Sequence, residues 1–143
     1  MSTVRSIVVA LMGAWLSVAF SAQADESVVL VTPDDVEWRE VAPGAALARL
    51  WGDPENGAYV RLIKVPAGVE GSTHWHSGDV HAFGVSGAWL SVTEGDPAGA
   101  REMSPGSYLF HAGGTVHSNT CIGPVECVLL VWQPVAHDVI PAE

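Results

Sequence analysis

Ser72-Thr-His-Trp-His-Ser-Gly-Asp-Val-His81 is the stretch whose reading decides the fold, and the segment from Gly68 to Asn119 is organised around it. Five of the six histidines (His74, His76, His81, His111 and His117) fall inside that segment, a density that packing alone does not ask for. His74 and His76 stand two apart, so on a β-strand both imidazoles leave one face while Trp75 leaves the other. Ser77-Gly-Asp79 reads as a tight turn that returns His81 on the next strand toward the same interior. His117 follows the Gly-rich turn Ala112-Gly-Gly-Thr-Val116, far off in sequence but a spatial neighbour in a small antiparallel barrel. Neutral imidazoles from three or four such positions suit one divalent transition ion such as Fe, Zn, Ni, Mn or Cu.

Outward from this stretch the chain alternates short apolar runs with turn formers. Val28 to Val31 is β-rich and predicts an outer or edge strand within Ser27–Thr32, ended by Pro33-Asp-Asp35. A second short strand fits Trp38–Val41. Ala45–Trp51 has helix-forming alanines, but it is short and follows Pro43-Gly44. Gly52–Gly57 is dense in turn formers, Tyr59–Val65 alternates apolar and basic residues with Val60, Leu62 and Lys64 on one face, and Val128–Trp132 is a continuous apolar run suited to full burial. Many short strands at turn spacings of about 8 to 12 residues argue for an all-β sandwich or barrel. No internal repeat, nucleophile elbow or phosphate-cradling glycine loop is present.

The histidine spacing resembles the cupin superfamily. Gly68, His74, His76 and Gly87 match its first motif, with His81 standing where the family has glutamate. Gly106, Gly114 and His117 fit its second, with Ala112 in the proline place and Asn119 closer than usual. Val65-Pro-Ala-Gly68, Pro105-Gly-Ser-Tyr108 and Gly113-Gly-Thr-Val-His117 look most like the ChrR-like single-domain cupins, named for the metal-binding domain of an anti-sigma factor. The resemblance covers roughly residues 40 to 135. It implies a cupin-type β-barrel, a jelly-roll-like double sheet, and it favours a strand for Ala45–Trp51. It also implies metal ligation by His74, His76 and His117.

His81 departs from the family glutamate and reads as a fourth ligand, a hydrogen-bonding support or a plain core substitution. An all-histidine shell supplies no negative charge, so the ion keeps its full charge and acts as a stronger Lewis acid toward an anionic oxygen. Asp79 or Glu94 could restore a carboxylate, although the first is a turn residue and the second a strand end. His111 could face the cavity or lie against the Gly113-Gly114 turn. His137 reads as a surface residue of a polar tail. Two functions fit: a non-haem metal-dependent dioxygenase or related enzyme acting on a small oxygen-rich organic substrate, or a metal-dependent ligand-binding or sensory cupin without catalysis.

Residues 1–24 read as a signal peptide. Met1–Arg5 is a short basic region, Ile7–Phe20 an apolar run shorter than the ~20 residues of a spanning helix, and Ala22-Gln-Ala24 a cleavage signal. The expected location is periplasmic or secreted, with residues 25–143 forming one domain. Cleavage removes Arg5 and no acid, taking the formal charge from −10 to −11. So acidic a surface repels nucleic acid and anionic membrane. The expected partner is a small-molecule ligand or substrate, with a homodimer left open. Cys121 and Cys127 flank Ile-Gly-Pro-Val-Glu, which reads as a hairpin turn, and in an oxidising compartment they are expected to form a cross-strand disulfide.

Overall fold

The computed structural model describes residues 28–142. The expected leader and its cleavage point after Ala24 lie outside the described residues. Among the described residues, apart from a 3-10 turn at Pro33–Asp35, every regular element is a strand: β1 (Arg39–Ala42), β2 (Ala45–Gly52), β3 (Tyr59–Val65), β4 (His74–Trp75), β5 (Val80–Ser86), β6 (Trp89–Thr93), β7 (Arg101–Met103), β8 (Tyr108–His111), β9 (His117–Cys121), β10 (Cys127–Gln133) and β11 (Ile140–Pro141). All pairings are antiparallel. One sheet has the order β1-β2-β3-β10-β5-β8 and the other β11-β4-β9-β6-β7, the double-sheet arrangement of a cupin jelly roll.

The core lies between the inner faces. Trp89, Met103 and Cys121 from the five-stranded sheet meet Val80, Ala82, Leu129 and Val131 from the six-stranded sheet. Burying a branched aliphatic side chain such as Leu129 or Val131 contributes about 1.5–3 kcal/mol. The alanines of β2 form a strand because β2 pairs along β3, with Ala46 opposite Lys64 and Ala48 opposite Leu62, and both alanines are buried there. Tertiary pairing overrides their helical propensity.

Two expectations are corrected. Residues 28–32 form no strand: Val28 and Leu30 are over four-fifths exposed, and β propensity without a pairing partner does not make a strand. The cysteines do not face each other across a hairpin, because β9 and β10 belong to different sheets. The Cys121–Cys127 disulfide, with Cα atoms 5.8 Å apart, ties the two sheets together. In β3, Val60, Leu62 and Lys64 share a face as expected, and it is the one turned from the cavity; Arg61, Ile63 and Val65 alternate with them and line it. This phase carries Arg61 into the interior, 8% exposed.

β9 and β10 therefore carry Cys121 and Cys127 at one end of the sandwich, and His117 and Gln133 at the other. The clasp closes the far end. Roughly 13 Å of strand separates it from the histidines, at about 3.3 Å per residue.

Candidate metal centre

β4 supplies His74, and His76 follows it two residues on, so both rings leave the inner face of the five-stranded sheet. β9 pairs with β4 so that His117 sits directly opposite His74. The turn before β9 fits closely against the loop after His76. Gly114, at φ +82°, donates its N–H to the His76 carbonyl at 2.8 Å, and a Cβ on Gly113 would come within 2.5 Å of the Ser77 carbonyl oxygen. Asp79 Oδ1 accepts the Gly113 N–H at 2.9 Å, fixing the same turn. Glycine at 113 and 114 is thus what lets the second histidine segment approach the first.

Ring centroids lie 4.9 Å apart for His74 and His76, 4.6 Å for His74 and His117, and 5.4 Å for His76 and His117. One ligand nitrogen from each lies within 4.8 Å of the others. Ligation by all three at a metal–imidazole distance of about 2.0–2.1 Å would require these nitrogens to draw closer together.

Each ring has a backbone carbonyl beside Nδ1. His74 Nδ1 lies 2.7 Å from the Ser72 oxygen, His117 Nδ1 2.8 Å from the Thr115 oxygen, and His76 Nδ1 against the Asp138 oxygen. A carbonyl accepts only, so each Nδ1 is the protonated nitrogen and each Nε2 lone pair is left free. That is the support that fixes tautomer and ring direction in metal-binding histidines. Burial favours the same neutral forms. It holds His76 below its ordinary pKa and takes His117 down to about 4, with neighbouring histidines reinforcing the shift. The donor set fits a divalent transition ion.

His111 is buried on β8, its centroid 4.1 Å from that of His117, with Nε2 3.0 Å from Thr93 Oγ1. It lines the cavity outside the three-nitrogen group. His81 does not reach the site. Val80 and Ala82 face inward, so strand alternation turns His81 outward, where Nδ1 lies 2.8 Å from Tyr108 Oη and the ring packs 4.6 Å from Trp132. Its expected roles as ligand or cavity support are therefore corrected. Asp79 is occupied with Gly113, and Glu94 is exposed. Neither joins the histidine group.

Sequence reasoning missed a second layer. His137 is no surface residue: its ring lies 6.0 Å from His76, Nδ1 is 3.1 Å from Tyr59 Oη, and Arg61 Nη2 is 3.3 Å away. Burial, then the Arg61 charge, take His137 down to about 4, while burial pushes Tyr59 up to about 12. Tyr59 Oη donates to Gln133 Oε1. The inward phase of β3 and a tail folded back as β11 against β4 were the signals for this layer, and neither shows in residue type.

His74, His76, His111, His117, Arg61 and Gln133 help to bound a cavity of about 260 Å³. That is slightly below the roughly 300 Å³ at which small-molecule sites begin, so it suits a small ligand. Its wall is apolar along Ile63, Val65, Leu109 and Leu129 and polar around the histidines, and among the described residues no aspartate or glutamate lines it.

A family model described as "ChrR Cupin-like domain" matches residues 26–136. Among solved structures, KdgF from Halomonas sp. is 25% identical, with 73% of this chain and 93% of that one covered at a TM-score of 0.61. The polyketide cyclase RemF from Streptomyces resistomycificus is 20% identical, covering 81% and 86% at 0.65. The DMSP lyase DddQ from Ruegeria pomeroyi DSS-3 is 22% identical, covering 69% and 56% at 0.57. The last two share the fold alone. No curated protein sequence matches the chain.

Proposed function

This chain belongs to the ChrR cupin-like domain family, and from that premise we propose that it is an exported metalloenzyme which binds a small oxygen-rich organic substrate at one divalent transition ion. The observation that carries the reading is the set of three backbone carbonyls at the Nδ1 atoms of His74, His76 and His117, which leaves the Nε2 lone pairs free in a cluster whose ligand nitrogens lie within 4.8 Å of one another. A structural role alone gives no reason to aim a ligand set into a cavity. When bound, an ion held by three neutral imidazoles is a strong Lewis acid with positions left for a substrate oxygen and for O₂ or water, the requirement of a non-haem dioxygenase.

The chain's own residues supply the rest. His74, His76 and His117 would hold the ion, while the apolar wall from Ile63 to Leu129 would exclude water from the substrate's body. That KdgF, a polyketide cyclase and DMSP lyases share the fold supports a small-molecule substrate without selecting the reaction. The specific observation favouring a sensor instead is His111, close enough to His117 to close the coordination shell after leaving Thr93.

The test is protein loaded anaerobically with Fe(II) and exposed to nitric oxide, an O₂ surrogate that needs a vacant position. An iron–nitrosyl signal is expected. Its absence, together with four histidine ligands and no water on Zn-loaded protein, would replace the enzyme by the sensor. Export is tested separately: the exported form should have an intact mass beginning at Asp25, and a species retaining Met1–Ala24 would refute cleavage.

A further inference from the structure

Five buried side-chain polar atoms lack a hydrogen-bond partner among the described residues, and four belong to residues lining the cavity: Arg61 Nε, Trp89 Nε1, Asn119 Oδ1 and Gln133 Nε2. Unpaired buried polar groups are costly and scarce in folded proteins, so their concentration on one cavity points to a ligand that satisfies them.

Arg61 is the most demanding of the four. A guanidinium stays charged even when burial lowers its pKa. It is 8% exposed and, among the described residues, pairs with no carboxylate; its polar neighbour is the neutral ring of His137. A buried cation without an anion is a large cost. The sequence holds 16 acids against 6 bases, yet among the described residues no acid lines the cavity, and Arg61 is the one permanently charged side chain that does.

Gln133 stands beside it. On paired strands, Arg61 lies opposite Val131 and Tyr59 opposite Gln133, so Arg61 and Gln133 are diagonal neighbours on the inner face. Tyr59 occupies Gln133 Oε1, which leaves the amide N–H₂ as a donor. A guanidinium N–H and an amide N–H₂ side by side form a donor pair for the two oxygens of a carboxylate.

We infer that the ligand of this cavity is a small monocarboxylate with an apolar body, its carboxylate held by Arg61 and Gln133, apart from the oxygen donor that meets the ion. This names the substrate class of the function proposed above and takes its biological meaning from that reading. The anchor itself needs no ion, so the two can fail separately.

The experiment titrates phenylacetate and its neutral isostere phenylacetamide into Zn-loaded and chelator-treated protein, with affinity read by calorimetry. Phenylacetate is expected to bind about tenfold or more tightly than the amide in both forms, the ratio one charge-assisted hydrogen bond supplies. Arg61→Met should abolish the preference. Gln133→Glu, which places a carboxylate next to Arg61 and keeps an acceptor for Tyr59, should fold with undiminished thermal stability and lose phenylacetate binding. Equal affinity for acid and amide in chelator-treated wild-type protein would overturn the inference whether or not the Arg61 variant folds. So would a preference that survives in Gln133→Glu. A preference confined to the Zn-loaded form would assign the carboxylate to the ion and also overturn it.

Discussion

Acid should unfold the metal-free protein through His117, by an amount the structure sets. His117 titrates near 4 in the fold against 6.5 as an ordinary histidine, and is 4% exposed. The unfolded chain therefore binds more protons between those values, so stability is full above pH 6.5 and falls as pH drops toward 4. A gap of about 2.5 units at 1.36 kcal/mol each gives a ceiling of about 3 kcal/mol, of which about 2 kcal/mol is lost by pH 5. His76, His111 and His137 are shifted in the same direction and add to the slope. The assay is urea unfolding of chelator-treated wild type and His117→Gln at pH 7.5 and pH 5. Wild type should lose about 2 kcal/mol more than the variant over that interval. Equal losses would mean that His117 is not held neutral by burial, and the reasoning from its environment would fail.

Metal analysis of single variants should find stoichiometry sharply lowered in His74→Ala and His76→Ala and unchanged in His81→Ala, whose ring packs on Trp132 outside the cavity. Full loading of both inner variants, or loss in His81→Ala, contradicts the assignment. Reduction of Cys121–Cys127, whose partners are 6 residues apart, should cost roughly 2 kcal/mol by denaturant titration, and unfolded unreduced protein should show no free thiol. Gly87→Ala should destabilise by more than about 2 kcal/mol. Gly87 has φ +72°, and a Cβ there would lie 2.6 Å from Cys127 Sγ and 2.8 Å from its Cα. An unchanged melting temperature would show that this corner can yield.

Much of the fold was legible because turn formers punctuate the chain and strand alternation is a strong signal. β3 matches its apolar and basic run from Tyr59 to Val65 to the residue. The His74, His76 and His117 cluster was legible because two of its members share a strand face and the third follows a turn that only glycines fit. His81 was not, since its direction depends on the phase with which the chain leaves Ser77-Gly-Asp79. One residue of phase inverts every side chain of β5. Arg61 was obscured in the same way: on an alternating strand a base is ordinarily assigned to solvent, and burial of Tyr59 in register with Gln133 decides otherwise. The cysteine segment has the composition of a hairpin but crosses between sheets. His137 and Asp138 lie just past the last residue matched by the family model, so motif reasoning had no purchase on them.

The Asp138 carbonyl at His76 Nδ1 makes the segment after β10 part of the candidate site. Residues 134–142 contribute the His137 ring, the Asp138 carboxylate that accepts the Ser77 N–H at 3.0 Å, and the β11 pairing of Ile140 with Trp75. A protein clipped after Gln133 would keep all three clustered histidines but lose the group that sets the tautomer of one of them. A single proteolytic cut in an extended segment could thus disarm the site while leaving both sheets of the barrel in place.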